Sequence, residues 1–178
     1  MMRGIIGFGS GLSILLLLAA PLAGQAFPPP RVQQGGGGTR LGLFGFGVRV
    51  GADLNQGGQF VLSGTLDIGD LFTRRLRLRP SGDIGVGSGA NSYSGSFEVL
   101  YRLTDEDRSL TPYVGGGLAL AGHAQCGADS GCPAVWFNTV LGLEIRYRST
   151  FNWLLEYHAM DAFQRNRLYL GLTTRRGN

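Results

Sequence analysis

From residue 41 onward, apolar and polar positions alternate in short segments separated by turn-forming residues. In the first segment Phe46 and Val48 fall on one face, while Arg49 and Asp53 fall on the other. A period of two is typical of β-strands, because successive side chains of a strand point to opposite faces. The alternation predicts eight strands, at about 41–53, 60–68, 75–86, 93–102, 112–122, 135–147, 151–158 and 167–175.

The gaps between these segments are short and rich in Gly, Asn, Asp and Ser, as hairpin connections require. The chain also contains 31 glycines, and an interior glycine costs a helix about 1 kcal/mol relative to alanine. We therefore expect an all-β fold, an eight-stranded antiparallel barrel. An even number of strands places the gaps at 69–73, 103–110 and 148–150 on the side of the two chain ends. The gaps at 54–58, 87–92, 122–134 and 159–166 then lie on the other side.

The charged residues fall on one face of the segments, and the other face is almost entirely aliphatic and aromatic. Segments of about 10 residues suffice to cross the apolar core of a bilayer when tilted, provided that the sheet closes. The pattern predicts a transmembrane barrel with an apolar exterior and an ionic interior. The expected interior residues are Arg49, Arg75, Arg77, Arg79, Glu98, Arg102, Glu144, Arg146, Glu156, His158 and Arg167.

Periodicity alone also fits the inverse arrangement, a soluble periplasmic β-barrel or sandwich that turns its arginines to water. Aromatic residues near the ends of the segments favour the membrane, because Tyr and Trp collect at membrane interfaces. The expected interfacial aromatics are Tyr93, Tyr101, Tyr147, Phe151, Trp153 and Tyr157, with Phe44 and Phe72 as further candidates.

The first 26 residues have the layout of a secretory signal peptide. Arg3 precedes an apolar run, Pro21 ends it, and Gly24 and Ala26 stand at the −3 and −1 positions of a cleavage site. The alternative, an uncleaved anchor, requires about 20 apolar residues, and this run is shorter. We therefore expect cleavage after residue 26, a flexible periplasmic leader at 27–40 and the barrel at 41–178.

The two cysteines, Cys126 and Cys132, lie six positions apart in a loop rich in Gly, Ser and Asp. Export to an oxidising compartment predicts a disulfide between them. A metal site with nearby His123 is the weaker alternative, since no second cysteine pair is present. We expect no metal and no cofactor.

The net charge of +4 comes from 16 arginines without any lysine. Lysine-rich blocks and basic runs interleaved with aromatics are missing, so nucleic acid is not an expected partner. An eight-stranded barrel has an interior only wide enough for side chains. We expect Glu98, Glu144 and Glu156 to pair there with Arg77, Arg79, Arg146 and Arg167 and to plug the lumen. The alternative is a small lumen that conducts ions or binds anions.

Three stretches carry a family resemblance: LRLRPSGDIGVG from residue 76, SFEVLYRL from residue 96 and TPYVGGGLALAG from residue 111. In this order they resemble the outer-membrane β-barrel domain superfamily, which includes OmpA- and OmpX-type barrels. The resemblance implies an outer-membrane location, contact with outer-membrane lipid and insertion by the barrel-assembly machinery. The chain departs from the family at its end, where Thr-Thr-Arg-Arg-Gly-Asn replaces the frequent terminal aromatic residue.

Barrels that modify lipids need a serine nucleophile beside a histidine base. The nearest approach to this pattern is Glu156-Tyr157-His158, but Met160 stands where the lipid A deacylase pattern places serine. We therefore expect no enzyme and no catalytic residue, but a structural protein of the cell envelope. The alternatives are a narrow porin-like channel, a lipid-modifying enzyme and a soluble periplasmic binding module.

Overall fold

The alternating segments pair with one another and form a closed sheet. The computed structural model describes residues 38–54, 58–87, 91–104, 108–128 and 132–176. Its strands are β1 Arg40–Asp53, β2 Gln59–Asp70, β3 Leu76–Val86, β4 Ser92–Arg102, β5 Leu110–His123, β6 Ala134–Arg146, β7 Phe151–Met160 and β8 Arg165–Thr174. All eight predicted strands are confirmed, with bounds that differ by at most two residues.

Each strand pairs antiparallel with its neighbours in sequence, and β1 also pairs with β8 to close the barrel. A 3₁₀ turn at Cys126–Ala128 interrupts the connection between β5 and β6. Within the described ranges there is no helix with the length and hydropathy of a membrane span. The predicted signal peptide, and the predicted leader up to residue 37, lie outside the described residues and stay predictions.

The barrel turns its apolar face outward. All eight strands expose large apolar side chains, among them Val48, Leu62, Phe97 and Leu170. The Asp, Glu, Arg and His side chains of the strands are buried inside, except at strand ends, where Arg40, Arg146, Arg165 and His123 lie. Water would penalise this arrangement on both faces, because apolar surface would stay hydrated while charges lost their hydration. A surrounding bilayer removes the first penalty, and ion pairing in the interior offsets the second, so the soluble alternative is wrong.

A bulge in β2 changes which side chains enter the barrel. The register of β2 against β3 shifts between Thr65 and Gly69. Pro80 lies opposite this bulge, where its missing N–H costs no ladder hydrogen bond. Gly69 has φ +128°, and a Cβ there would lie 1.9 Å from the carbonyl oxygen of Arg40. After the bulge Asp70 points inward, although we expected it in a turn.

The two open ends of the barrel are named by the chain termini. The terminal mouth is the end at which β1 begins and β8 ends, and its connections are residues 71–75, 103–109 and 147–150. The distal mouth is the opposite end, with connections at 54–58, 87–91, 124–133 and 161–164. All seven connections are short, and the longest of them contains the two cysteines.

Candidate functional site

Seven buried side chains of alternating charge cross the barrel toward the distal mouth. We call this set the distal chain; in order of contact it consists of Asp53, Arg167, Asp83, Arg49, Glu156, Arg79 and Glu98. Arg167 Nε lies 3.0 Å from Asp53 Oδ2, and Arg79 Nη2 lies 2.9 Å from Glu98 Oε2. Each guanidinium thus bridges two carboxylates contributed by different strands, and the distal chain has four acids and three arginines.

Three further side chains complete the hydrogen bonding of the distal chain. The imidazole of His158 contacts Glu156 Oε2 at 2.9 Å through Nε2, and its Nδ1 lies 3.5 Å from Glu98 Oε1. The Asn138 amide donates to Glu98 at 2.8 Å. The hydroxyl of Tyr113 donates to Glu156. Glu156 therefore contacts two guanidiniums, an imidazole and a phenol, and it forms the centre of the interior.

A second set of seven alternating charges lies at the terminal mouth. We call this set the terminal chain; in order of contact it consists of Arg40, Asp70, Arg176, Asp67, Arg77, Glu144 and Arg102. Glu144 receives Arg102 Nη2 at 2.6 Å and Arg77 Nη1 at 3.3 Å. Here the arginines are in excess, four against three acids. The two chains thus have opposite excess charges.

On strands β4 to β7 an apolar layer lies between the two chains. Leu100, Val140 and Leu154 pack inside the barrel with the ring of Tyr113, and each of the four is nearly inaccessible to solvent. In sequence Leu100 lies between Glu98 of the distal chain and Arg102 of the terminal chain. An ion crossing the interior would lose its hydration at this layer, which is a large energetic cost. Along these four strands the interior is thus filled by two ionic layers with an apolar layer between them, while on β3 Arg77 of the terminal chain and Arg79 of the distal chain are successive inward residues.

Arg176 follows the last strand, and its side chain reaches into the terminal mouth. Its Nε donates to Asp67 Oδ2 at 2.7 Å and its Nη1 donates to Asp70 Oδ1 at 2.5 Å. The guanidinium also lies 4.7 Å from the centre of the Phe44 ring. Burial alone would lower the pKa of this guanidinium, but Asp67 and Asp70 outweigh the burial and raise the pKa above its ordinary value. Arg176, directly after β8, is therefore held at the mouth by charge-assisted hydrogen bonds.

The structure places most, but not all, of the expected interior residues inside. The nine that are buried are Arg49, Arg77, Arg79, Glu98, Arg102, Glu144, Glu156, His158 and Arg167. Arg75 is exposed, because β3 begins one residue after it and leaves it in a turn. Arg146 is exposed at the last position of β6. These two expectations were wrong for the same reason. Beyond the end of a strand, the alternation of the sequence no longer determines whether a side chain points into or out of the barrel.

The expected partners were right only in part. Glu98 pairs with Arg79, and Glu144 pairs with Arg77, as the carboxylate–arginine pairing predicted. Arg167, however, contacts Asp53 and Asp83 rather than a glutamate. Six residues of the distal chain and the terminal chain were not among the expected interior residues, namely Arg40, Asp53, Asp67, Asp70, Asp83 and Arg176. The alternation of the sequence already placed three of them, Asp53, Asp67 and Asp83, on the inward face of their strands. No local signal in the sequence marks Arg176.

The cysteine loop lies at the distal mouth. Cys126 and Cys132 form the predicted disulfide, with their Cα atoms 5.0 Å apart. Potential metal ligands of His123 and the two cysteines lie within 4.8 Å of one another. Because both sulfurs are engaged in the disulfide, neither is available as a thiolate ligand for a metal. The hydroxyl of Tyr93 lies 3.5 Å from Cys126 Sγ and packs the loop onto β4.

The expected interfacial aromatics lie on the barrel exterior at two levels. Those toward the terminal mouth are Tyr101, Tyr147, Phe151 and Trp153, and those toward the distal mouth are Tyr93 and Tyr157. The rings of Tyr147 and Trp153 are 5.7 Å apart. Tyr157 is half-buried, and its hydroxyl donates to Asn166 Oδ1 at 2.5 Å. Phe72 is exposed in the turn between β2 and β3, and Phe44 lies against Arg176.

A closed eight-stranded antiparallel sheet with an apolar exterior and an ionic interior is the fold of the small outer-membrane β-barrels. Solved structures support this class. The N-terminal β-barrel domain of Pseudomonas aeruginosa OprF matches with a TM-score of 0.54 and 16% identity, over 75% of this chain and 98% of that chain. Neisserial surface protein A matches with a TM-score of 0.52 and 14% identity, over 74% and 94% of the respective chains.

A de novo designed transmembrane β-barrel also matches, with a TM-score of 0.50 and 15% identity, over 75% of this chain and 96% of the design. No protein-family model and no curated protein sequence matches the chain. At these identities the likeness establishes the fold. The resemblance to OmpA-type barrels that the sequence indicated is confirmed at that level.

Proposed function

We propose that this protein is a structural component of the outer membrane whose filled interior forms no conduit. One observation carries the proposal: the distal chain, the apolar layer and the terminal chain are stacked along the barrel axis. Glu156, Val140 and Leu154, which belong to these layers, are at most 1% exposed. A water-filled path would have to displace paired charges and apolar side chains together, and eight-stranded barrels leave little other space.

Conductance in planar bilayers tests this proposal. The refolded wild type is expected to produce no current steps under conditions in which a general porin does. The double variant Arg79→Ala/Glu156→Ala removes two central side chains and is expected to admit ions. Gly64→Ala is the control, because a Cβ at this exterior position contacts nothing within 4 Å. Steady single-channel currents from the wild type would contradict a plugged interior.

Lipid modification receives no support from the position of His158. Its imidazole is buried in the lumen between two glutamates, while a lipid substrate would reach the exterior or the rim. Met160 stands at the position where the lipid A deacylase pattern places serine, and its side chain offers no hydroxyl nucleophile. Turnover of lipopolysaccharide or phospholipid by the wild type, lost in His158→Ala, would overturn the non-enzymatic proposal.

We further propose that residues 1–26 direct export and are removed, and that the terminal mouth faces the periplasm. Outer-membrane lipid then surrounds the apolar exterior, and the barrel-assembly machinery inserts the chain. Single added cysteines test the orientation in intact cells. A membrane-impermeant maleimide is expected to label Ala162→Cys in a distal turn, but not Ser149→Cys in a terminal turn. The reverse labelling would invert the topology.

A further inference from the structure

Arginine is strongly concentrated at the terminal mouth. Ten of the 16 arginines lie there: Arg40, Arg74, Arg75, Arg77, Arg102, Arg108, Arg146, Arg148, Arg175 and Arg176. The described acids at this end are Asp67, Asp70 and Glu144. Three more, at 105–107, belong to the connection between β4 and β5 but lie outside the described residues. Even if all six acids are counted, positive charge is in excess. The mouth therefore has a positive potential that attracts anions.

Part of this charge converges on one pocket inside the mouth. Its lining contains six arginines: Arg77, Arg102, Arg108, Arg146, Arg175 and Arg176. Glu144 is the one carboxylate among the described lining residues, and it is already shared between two guanidiniums. Thr111, Asn152 and Thr174 add hydroxyl and amide groups. The pocket thus combines a cationic wall with neutral hydrogen-bonding groups.

We propose that this pocket binds a phosphate group. Guanidiniums form paired, charge-assisted hydrogen bonds to phosphate oxygens, and several forks approaching from different strands suit a tetrahedral anion better than a planar one. A bound anion would also relieve the mutual repulsion of the arginines, which the acids of the terminal chain offset only in part. The enclosed part of the pocket has room for little more than one water molecule, so a phosphate group would lie where the pocket opens at the mouth.

The phosphate can come from two sources with the same chemistry. Inorganic phosphate can enter from the aqueous phase through the open mouth. Alternatively, the phosphodiester of an anionic phospholipid in the adjacent leaflet can reach exposed Arg108 and Arg146 at the rim. The proposal concerns the phosphate group, and the experiment separates its two carriers.

Calorimetric titration of the purified protein in a maltoside detergent tests the proposal, because this detergent contains no phosphate. Inorganic phosphate is expected to bind saturably at one site, in competition with excess chloride. Arg108→Gln/Arg175→Gln is expected to weaken binding by about tenfold or more, since charge-assisted contacts are lost. The matched control, Arg74→Gln/Arg148→Gln, removes the same charge from exposed turns at the same mouth outside the pocket lining. This control is expected to bind like the wild type.

In a second titration, the lipid arm of the experiment, short-chain phosphatidylglycerol is added below its micellar concentration. An uncharged diacylglycerol is the control. If phosphatidylglycerol displaces inorganic phosphate and binds more tightly, the carrier is lipid; if it does not compete, the carrier is free phosphate. Either result supports a phosphate site. An absence of saturable binding in both arms, or equal losses in the two double variants, overturns the proposal. Heat-modifiable gel migration verifies that each variant folds. Arg108→Lys/Arg175→Lys is a second double variant at the same two positions, and it retains their positive charge.

Discussion

Arg176 donates to Asp70 across 106 positions of sequence, with 2.5 Å between Nη1 and Oδ1. The bond joins the segment after the last strand to the end of β2, beyond the bulge that turns Asp70 inward. It also extends the ionic interior past the residues that form the sheet. The ion pairs of the terminal chain therefore hold the segment directly after β8 as well as filling the mouth.

Replacing Arg176 with glutamine is expected to lower the free energy of unfolding by roughly 3–5 kcal/mol, because Asp67 and Asp70 stay buried with one partner fewer. The measurement is urea unfolding from lipid vesicles, followed by tryptophan fluorescence. Arg175→Gln is the matched control, since it removes the same charge one residue away. Equal losses in both variants would show that the specific contacts of Arg176 do not matter.

The contribution of Arg176 is expected to persist into alkaline solution. Its folded-state pKa is raised above the ordinary arginine value. Because the folded-state pKa is raised, this stabilisation is fully present below the strongly alkaline pKa of an unfolded arginine, and it is lost only as the pH rises from there through the folded-state pKa. The difference in unfolding free energy between wild type and Arg176→Gln should therefore be equal at pH 7 and pH 10. A marked decrease at pH 10 would be inconsistent with this view.

Glu156→Gln is expected to destabilise the barrel by roughly 3–5 kcal/mol, because Arg49 and Arg79 then stay buried beside a neutral amide. Because glutamine preserves the size of the side chain, the change in the free energy of unfolding reports the lost charge rather than lost packing. Asp161→Asn is the control, an equivalent change in a distal turn. Urea unfolding from lipid vesicles measures the loss of unfolding free energy in both variants. A loss below about 1 kcal/mol, the value typical of exposed pairs, would argue against a central role for Glu156.

Gly117→Ala is expected to destabilise the barrel by at least about 1–3 kcal/mol through overpacking. A Cβ at this position would lie 1.9 Å from the carbonyl oxygen of Phe97 and 2.8 Å from Cα of Glu98. The obstacle is backbone, so β4 and β5 would have to move apart. Gly82→Ala is the matched control, because nothing lies within 4 Å of its added Cβ. The fraction of heat-modifiable protein after refolding reports both variants, and a fully refolding Gly117→Ala would contradict the close approach.

Removing the disulfide with Cys126→Ser/Cys132→Ser is expected to cost about 2 kcal/mol of stability, because the bridge closes only a short loop. The barrel itself should still form, since its ladders do not depend on this connection. Unfolding with and without reductant measures the effect. Reductant should weaken the wild type and leave the double variant unchanged; an equal response of both would point to another cause.

The sequence by itself determined the eight strands, the facing of their side chains and the disulfide. These features follow from local rules, because alternation with a period of two is visible within each segment and the cysteines are close in sequence. Tertiary structure decided the ion pairs, since Arg49 and Glu156 lie 107 positions apart and meet only through closure and register. It also decided that the bulge before Gly69 turns Asp70 inward, that Arg75 stays in a turn, and that Arg176 enters the mouth. Such contacts depend on where distant strands end relative to one another, and no local pattern in the chain encodes that.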